Sequence, residues 1–255
     1  MKFSLAAVSA LVTSAMANPT PKAAEGAKEM CGAFGSAPTA GYTVYHNNWG
    51  AAQASSGSQC TTLEKVSSAS PPSFAWSTSW SWAGGSNQVK SYSNVALEKV
   101  NKELSAISSI PSVWNWKYTG NNMVADVAYD LWLAPTVGAN NKYEIMIWVG
   151  TFGGAGPISA KYDGSGNPVP VASPTILGVK WKVYKGTNGD TTVFSFIPPS
   201  NIDKFKGDLK LFFDYLTSSE GVPTSSVVTS LQAGTEPFTG SKAVFKTSAY
   251  TIKVT

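Results

Sequence analysis

Along most of the chain the apolar positions recur at every second residue, the period of a half-buried β-strand. The clearest case is residues 143–149, Tyr-Glu-Ile-Met-Ile-Trp-Val, which contain no Gly or Pro and follow the turn-prone Gly138-Ala139-Asn140-Asn141. Alternation puts Ile145, Ile147 and Val149 on one face, a plain core face, and Glu144, Met146 and Trp148 on the other. Burying a carboxylate unpaired costs roughly several kcal/mol. A Glu in line with an aromatic therefore suits the floor of a partly open cleft.

Further strands are predicted at residues 41–49, 73–82, 88–97, 113–118, 123–133, 178–184, 191–197, 227–232 and 242–254. The first runs into a polar edge, Asn47-Asn48-Trp49, either a turn with a packed indole or a sugar contact. In 73–82, Trp76, Trp80 and Trp82 share one face, which is either core or a sugar platform. In 123–133, Val124, Asp126, Ala128, Asp130 and Trp132 share one face. Residues 100–110 alternate weakly and Pro111 closes them. Asn188-Gly189 marks a hairpin between the strands at 178–184 and 191–197. The Gly-rich 150–157 lacks phosphate-loop spacing and opens no helix, so it reads as a loop beside the cleft.

One helix is predicted: Phe205, Leu209, Phe212, Phe213 and Leu216 recur at helical spacing, Gly221 and Pro223 end it, and Lys206, Lys210 and Asp214 form its solvated face. Near the end, Pro237 biases Glu236 toward extended geometry, so a second Glu projects from a strand. Many short strands, one helix and Gly/Ser/Asn turns make an all-β sandwich or barrel.

Composition narrows the chemistry. Residues 1–17 have the layout of a secretory signal peptide, with an apolar run too short for a membrane span. Residues 18–30 read as a disordered leader, and 31–255 suit one domain. Cys31 and Cys60 are expected to pair in a secreted chain. No Asn-x-Ser/Thr sequon occurs, so N-glycosylation is not expected. All 19 basic residues are Lys, and net charge is only +4. Without Arg, nucleic-acid reading is not expected. The one His, His46, limits Ser-His-Asp catalysis and His-based zinc sites.

What remains is carboxylate chemistry. Glycoside hydrolysis needs one carboxylic acid to protonate the leaving oxygen and a second carboxylate as nucleophile or base. Glu144 and Glu236 fill those parts, and Asp130 on a third strand can share a proton and separate the pKa values. No metal or organic cofactor is required.

The motifs Asn47-Asn48-Trp49-Gly50, Val89-Lys90-Ser91-Tyr92, Val127-Ala128-Tyr129-Asp130-Leu131, Tyr143-Glu144-Ile145-Met146-Ile147-Trp148, Gly156-Pro157-Ile158 and Gly234-Thr235-Glu236-Pro237-Phe238-Thr239-Gly240 occur in this order. Together they make residues 31–255 resemble glycoside hydrolase family 12, the secreted fungal and bacterial endo-β-1,4-glucanases, and within it the fungal xyloglucan-specific branch. The resemblance implies a β-jelly roll of two curved antiparallel sheets, an open cleft on the concave side, and the helix on the convex side. It implies a retaining mechanism with Glu144 as nucleophile, Glu236 as acid/base and Asp130 hydrogen-bonded to the nucleophile. Asn47 and Trp49 match groups holding the sugar on the non-reducing side, Met146 and Trp148 match groups near the reacting sugar, and Pro157, Asn188 and Phe238 are further substrate contacts. Cys31 and Cys60 match the family disulfide. A secreted monomer acting on a polysaccharide, with no membrane or nucleic-acid partner, is expected.

The chain departs from the family pattern at Phe34, His46, Asn48 and an apparent insertion at 161–175. These changes bear on substrate preference. A small Ala233 stands where unbranched-glucan relatives more often carry an aromatic, although strand parity places it off the Glu236 face. Two alternatives remain open on sequence alone: a glucanase acting mainly on cellulose or mixed-linkage β-glucan, and a non-catalytic glycan-binding or plant-recognised surface protein.

Overall fold

The computed structural model describes residues 27–255; the signal peptide and most of the leader expected at 1–30 lie outside the described residues. The strands are β1 (Lys28–Met30), β2 (Phe34–Thr39), β3 (Tyr42–Asn47), β4 (Ser56–Val66), β5 (Phe74–Ala83), β6 (Ser93–Glu103), β7 (Pro111–Ala134), β8 (Tyr143–Phe152), β9 (Thr175–Ile176), β10 (Val179–Lys180), β11 (Lys182–Asn188), β12 (Thr191–Ile197), β13 (Lys204–Asp208) and β14 (Val227–Ile252), with one α-helix, α1 (Lys210–Ser219).

Two strands organise the molecule. β7 and β14 pair along nearly their whole lengths, and each serves two sheets. The first half of β14 and the second half of β7 lie in a sheet of order β2-β3-β6-β14-β7-β8-β12-β11. Their other halves lie in a sheet of order β1-β4-β5-β14-β7-β13. The strands turn the corner at Gly120-Asn121-Asn122 and Gly240-Ser241-Lys242, where the register slips and Gly120, Asn122, Gly240 and Lys242 all take positive φ. A side chain at Gly240 would collide with the Trp80 ring at 2.9 Å, so the corner requires glycine.

Between the sheets lies one core. Trp76 of β5, Trp114 of β7 and Tyr250 of β14 have no meaningful exposure and pack edge-on or stacked at 5.7–6.4 Å between centroids. Such pairs contribute about 0.5–1.5 kcal/mol each beyond area burial. Trp80 and Trp82 are also buried, so the tryptophan face of β5 is core and no sugar platform. Ile145, Ile147 and Val149 face this core, and Met146 and Trp148 belong to a separate apolar cluster on the opposite face of the sheet.

Several expected boundaries move. Lys28–Met30, placed in the leader by composition, form β1 and pair with Thr61–Leu63 of β4. Pro111 opens β7 at its first residue, where a missing N–H costs nothing. The strand expected at 88–97 begins only at Ser93. The two terminal strands expected at 227–232 and 242–254 are one bent β14. Phe205 belongs to β13, and the helix starts at Lys210; Phe205 reaches the same core from a strand paired with Trp114, so the helical spacing to Leu209 is coincidental. β8 and β12 run parallel within an otherwise antiparallel sheet, because the β11–β12 hairpin folds back beside β8.

Helix α1 covers the back of the larger sheet at its β12–β11 edge, Phe212 meeting Trp181 and Phe196 at 5.1 Å each. That leaves the opposite face of the sheet uncovered. The Cys31–Cys60 disulfide ties the segment after β1 to β4.

Candidate active site

A cleft of about 770 Å³ crosses the uncovered face. Its floor is built by alternation. On β8 the residues pointing away from the core are Glu144, Met146 and Trp148. On β7 they are Asp126, Ala128, Asp130 and Trp132, and on β14 they include Gln232 and Glu236. All ten residues expected to carry chemistry or hold sugar line this one cleft: Glu144, Glu236, Asp130, Asn47, Trp49, Met146, Trp148, Pro157, Asn188 and Phe238.

The order of strands under the cleft gives its length. From β3, which carries Asn47, to β11, which ends at Asn188, there are six strand spacings, about 29 Å. Glu236 on β14 and Glu144 on β8 flank β7 near the middle of this span. Glu236 stands opposite Asp126 and Glu144 opposite Trp132, so the two sit on either side of β7 and are offset along it; both side chains rise from the same face, and Glu236 feels the charge of Glu144. Each end carries an exposed aromatic. Trp49, 55 % exposed, follows β3, and Tyr162, 59 % exposed, comes from the inserted segment.

The Trp49 end is fixed by close backbone approach. The Gly50 N–H donates to the Lys90 carbonyl at 3.0 Å. A side chain at Gly50 would stand 2.0 Å from the Val89 oxygen. Lys90 in turn is fully buried and donates to the carbonyls of Gly85, Gln88 and Phe238 at 2.6–2.9 Å, pinning the rim to the strand that carries Glu236. At the other end, Asp163 accepts from the N–H groups of Ser165 and Asn167, the Val171 N–H donates to the Val183 carbonyl of β11, and the Val183 N–H donates to the Ala172 carbonyl. The insertion is thus an ordered hairpin against the sheet edge.

Four carboxyls gather at the centre. Glu144 is pushed up to about 7 by burial. Asp126 is pushed up to about 8 by burial, which outweighs its hydrogen bonds with Glu236. Asp130 is raised well above the usual range by burial and then by the charges of Glu144 and Glu236. Glu236 is raised likewise, by burial and then by Asp126 and Glu144. Burial disfavours each charge and the neighbours repel one another. Glu144 is the least raised of the four, and Asp130 and Glu236 are both held well above the usual carboxylate range.

Asp130 departs from the expected contact. Its Oδ2 accepts from the Trp132 indole N–H at 2.9 Å, and its Oδ1 has no partner. It lies diagonal to Glu144, since Glu144 pairs with Trp132 and Asp130 with Met146, and is coupled to Glu144 by charge. Glu144 Oε2, Trp148 Nε1 and Asn47 Oδ1 are likewise buried at the cleft without partners among the described residues. Three acceptors and one donor, aimed at one groove, suit a ligand rich in hydroxyls.

His46 faces inward, bonded to Thr61 and the Gly32 carbonyl, and takes no part in the cleft. Ala233 is buried in the core opposite Tyr129, so it makes no room for a sugar branch. Sequence reasoning assigned nothing to Asp126 or Tyr162. Asp126 shares its strand parity with Asp130, which was the available signal; Tyr162 sits in a polar loop that carries no periodicity.

The sequence model of glycosyl hydrolase family 12 matches residues 40–255. The chain belongs to this family. It is 47 % identical over 257 residues, covering 100 % of both chains, to the probable xyloglucan-specific endo-beta-1,4-glucanase A of Aspergillus terreus. It is 51 % identical over 227 residues to the xyloglucan-specific endo-beta-1,4-glucanase A of Aspergillus niger, covering 89 % of this chain and 90 % of that protein. Among solved structures, the family 12 endoglucanase 3 of Trichoderma harzianum superposes with a TM-score of 0.81 at 35 % identity, over 92 % of this chain and 100 % of that one. The xyloglucanase domain of NopAA from Sinorhizobium fredii, in complex with cellobiose, gives 0.75 at 28 % identity, over 89 % and 99 %. As a family 12 member the chain is a glycoside hydrolase of the jelly-roll fold.

Proposed function

We propose that this chain is a secreted endo-β-1,4-glucanase that cleaves the backbone of xyloglucan with retention of configuration. The observation that carries this is the placement of Glu144 and Glu236 on one face, across a single strand, in the middle of a cleft about 29 Å long. A pair in the middle of a groove, with lining on both sides of it, acts within a chain and not at its tip. The charge of Glu144 acts on Glu236 across the cleft, and the covalent intermediate requires the two carboxyls about 5–5.5 Å apart.

In the first step Glu236 gives its proton to the glycosidic oxygen while the Glu144 carboxylate attacks the anomeric carbon. The C–O bond breaks and a glycosyl ester forms on Glu144. In the second step Glu236, now a carboxylate, takes a proton from water, whose oxygen attacks the same carbon and releases Glu144. The order of ionisation supports the roles: Glu144 is the least raised of the carboxyls and Glu236 remains protonated. Asp130 opposes a second charge beside Glu144 and is itself oriented by Trp132.

Trp49 and Tyr162 supply stacking at the two ends, and Asn47, Met146, Trp148, Pro157, Asn188 and Phe238 line the path between them. The xyloglucan preference draws on the names of the Aspergillus relatives and on the hairpin that walls the Tyr162 end. Secretion draws on the Cys31–Cys60 disulfide, a bond of oxidising compartments. No helix among the described residues is long and apolar enough to cross a membrane, and the protein is read as a monomer.

Reducing-sugar release and viscosity loss from tamarind xyloglucan, carboxymethylcellulose and barley β-glucan test this reading side by side. Xyloglucan is expected to be cut fastest, with viscosity falling well before most sugar ends appear. Equal or faster release from the unbranched polymers would refute the preference.

A further inference from the structure

The reaction above uses three of the four clustered carboxyls and leaves Asp126 over. Asp126 has no exposed surface, so it meets neither solvent nor a bound glycan. It stands directly opposite Glu236 in the β7–β14 ladder, and both side chains rise from the same face. Its Oδ1 accepts a hydrogen bond from the Glu236 backbone N–H at 3.3 Å. Its own carbonyl accepts from the Thr235 hydroxyl at 2.5 Å, which fixes its backbone. The Asp126 and Glu236 carboxyls also hydrogen-bond to each other. Two carboxylates cannot make such a bond, so one of them carries the proton. Asp126 Oδ2 has no hydrogen-bond donor among the described residues, which leaves it free to accept a carboxyl proton.

We propose that Asp126 is a positioning residue for the acid/base. It holds the Glu236 carboxyl as a donor at the cleft and keeps one proton in the Asp126–Glu236 pair, so that the pair sets the alkaline limb of activity. This rests on the reading of Glu236 as acid/base. The titratable groups around Asp126 are Glu236 on β14, Glu144 on β8, Asp130 on β7, Tyr92 ahead of β6, and Tyr118 in the other half of β7. No cation is among them, and Lys90, bonded to the Phe238 carbonyl, gives its other donors to Gly85 and Gln88. A lone proton shared by two buried carboxyls is held to higher pH than one carboxyl beside a neutral amide would hold it. The proton that leaves with the departing sugar is returned by the attacking water, so the pair ends the cycle as it began.

The test compares wild type, Asp126→Asn and Glu236→Gln by kcat/KM against pH on two substrates. One is tamarind xyloglucan; the other is a 2,4-dinitrophenyl cello-oligosaccharide, whose leaving group needs no proton. For Asp126→Asn, the alkaline limb on xyloglucan is expected about one unit lower. The rate at the wild-type optimum is expected to fall about 10-fold or more. On the dinitrophenyl substrate kcat/KM should change less than about 3-fold at the same pH, since no acid is needed. An unmoved limb, or equal losses on both substrates, overturns the proposal. Asp126→Ala serves as the second variant with the same expectation, and failure of both to fold would make Asp126 structural only. Equal loss by Glu236→Gln on both substrates sinks the acid/base reading itself, an outcome separate from any result at Asp126.

Discussion

Glu144 and Glu236 are the same side chain on the same sheet face, yet their surroundings differ. Glu144 lines the cleft, and its Oε2 has no hydrogen-bond donor among the described residues; no carboxyl stands directly opposite it, its ladder partner on β7 being Trp132. Glu236 is held from below by a carboxyl directly opposite, which bonds both its backbone and its side chain. Strand pairing, not residue type, is what sets the two apart, and the proposed roles of nucleophile and acid/base draw on that difference. Sequence parity alone treats the two alike.

The largest expected effect separates these two roles. Glu144→Gln and Glu236→Gln should each lower kcat/KM on xyloglucan by about 1000-fold or more while the fold is kept. On a dinitrophenyl glycoside only Glu144→Gln should retain that loss, and added azide should accelerate Glu236→Gln and form a β-glycosyl azide. Trapping of azide by neither variant, or similar losses by both on the activated substrate, would erase the distinction.

How much of this was legible depends on range. The face assignments in 143–149 followed from local alternation, because a one-residue slip would have turned Ile145, Ile147 and Val149 toward water. The presence of Glu144, Glu236 and Asp130 in one cleft was anticipated from their strand settings and the family resemblance. The Asp126–Glu236 contact joins positions 110 apart, and nothing local says which strand lies beside which. The bends at Gly120-Asn121-Asn122 and Gly240-Ser241-Lys242 read as strand ends because turn residues end most strands; here they fold one strand into two sheets. Trp132, whose indole orients Asp130, was seen as a face-mate but its bond needs coordinates.

A smaller effect concerns stability. Each clustered carboxyl has a folded pKa raised above its unfolded value, so its favourable contribution is present below the unfolded pKa and is lost as pH rises through the folded one. For Glu144 that window runs from the ordinary 4.5 to about 7, and for Asp126 from 3.8 to about 8. The melting temperature of wild type should therefore fall between about pH 5 and pH 8. Glu144→Gln removes one ionisation and should melt a few degrees above wild type at about pH 8, with the gap closing near pH 4. A pH-independent gap would mean the substitution acts through packing and not through the charge. The comparison predicts less gain in this window from Glu236→Gln, which leaves Asp126 to ionise without its proton donor.

The smallest effect lies at the cleft ends, far from either glutamate. Trp49 is anchored by Gly50 on the Lys90 loop, and Tyr162 by the Asp163 turn and the strand-like contacts of its hairpin with β11. Neither touches the carboxyl cluster, so Trp49→Ala and Tyr162→Ala should raise KM on xyloglucan by about 5- to 10-fold, the loss of roughly 1–1.5 kcal/mol of stacking, and leave kcat and the pH profile nearly unchanged. Tyr162 is the sharper case. Because its hairpin lies at the rim, shortening the glycan to a length that no longer spans the cleft should abolish the effect of Tyr162→Ala. A kcat loss on long and short substrates alike would instead tie the hairpin to the chemistry at Glu144, and the division of labour between centre and ends would fail.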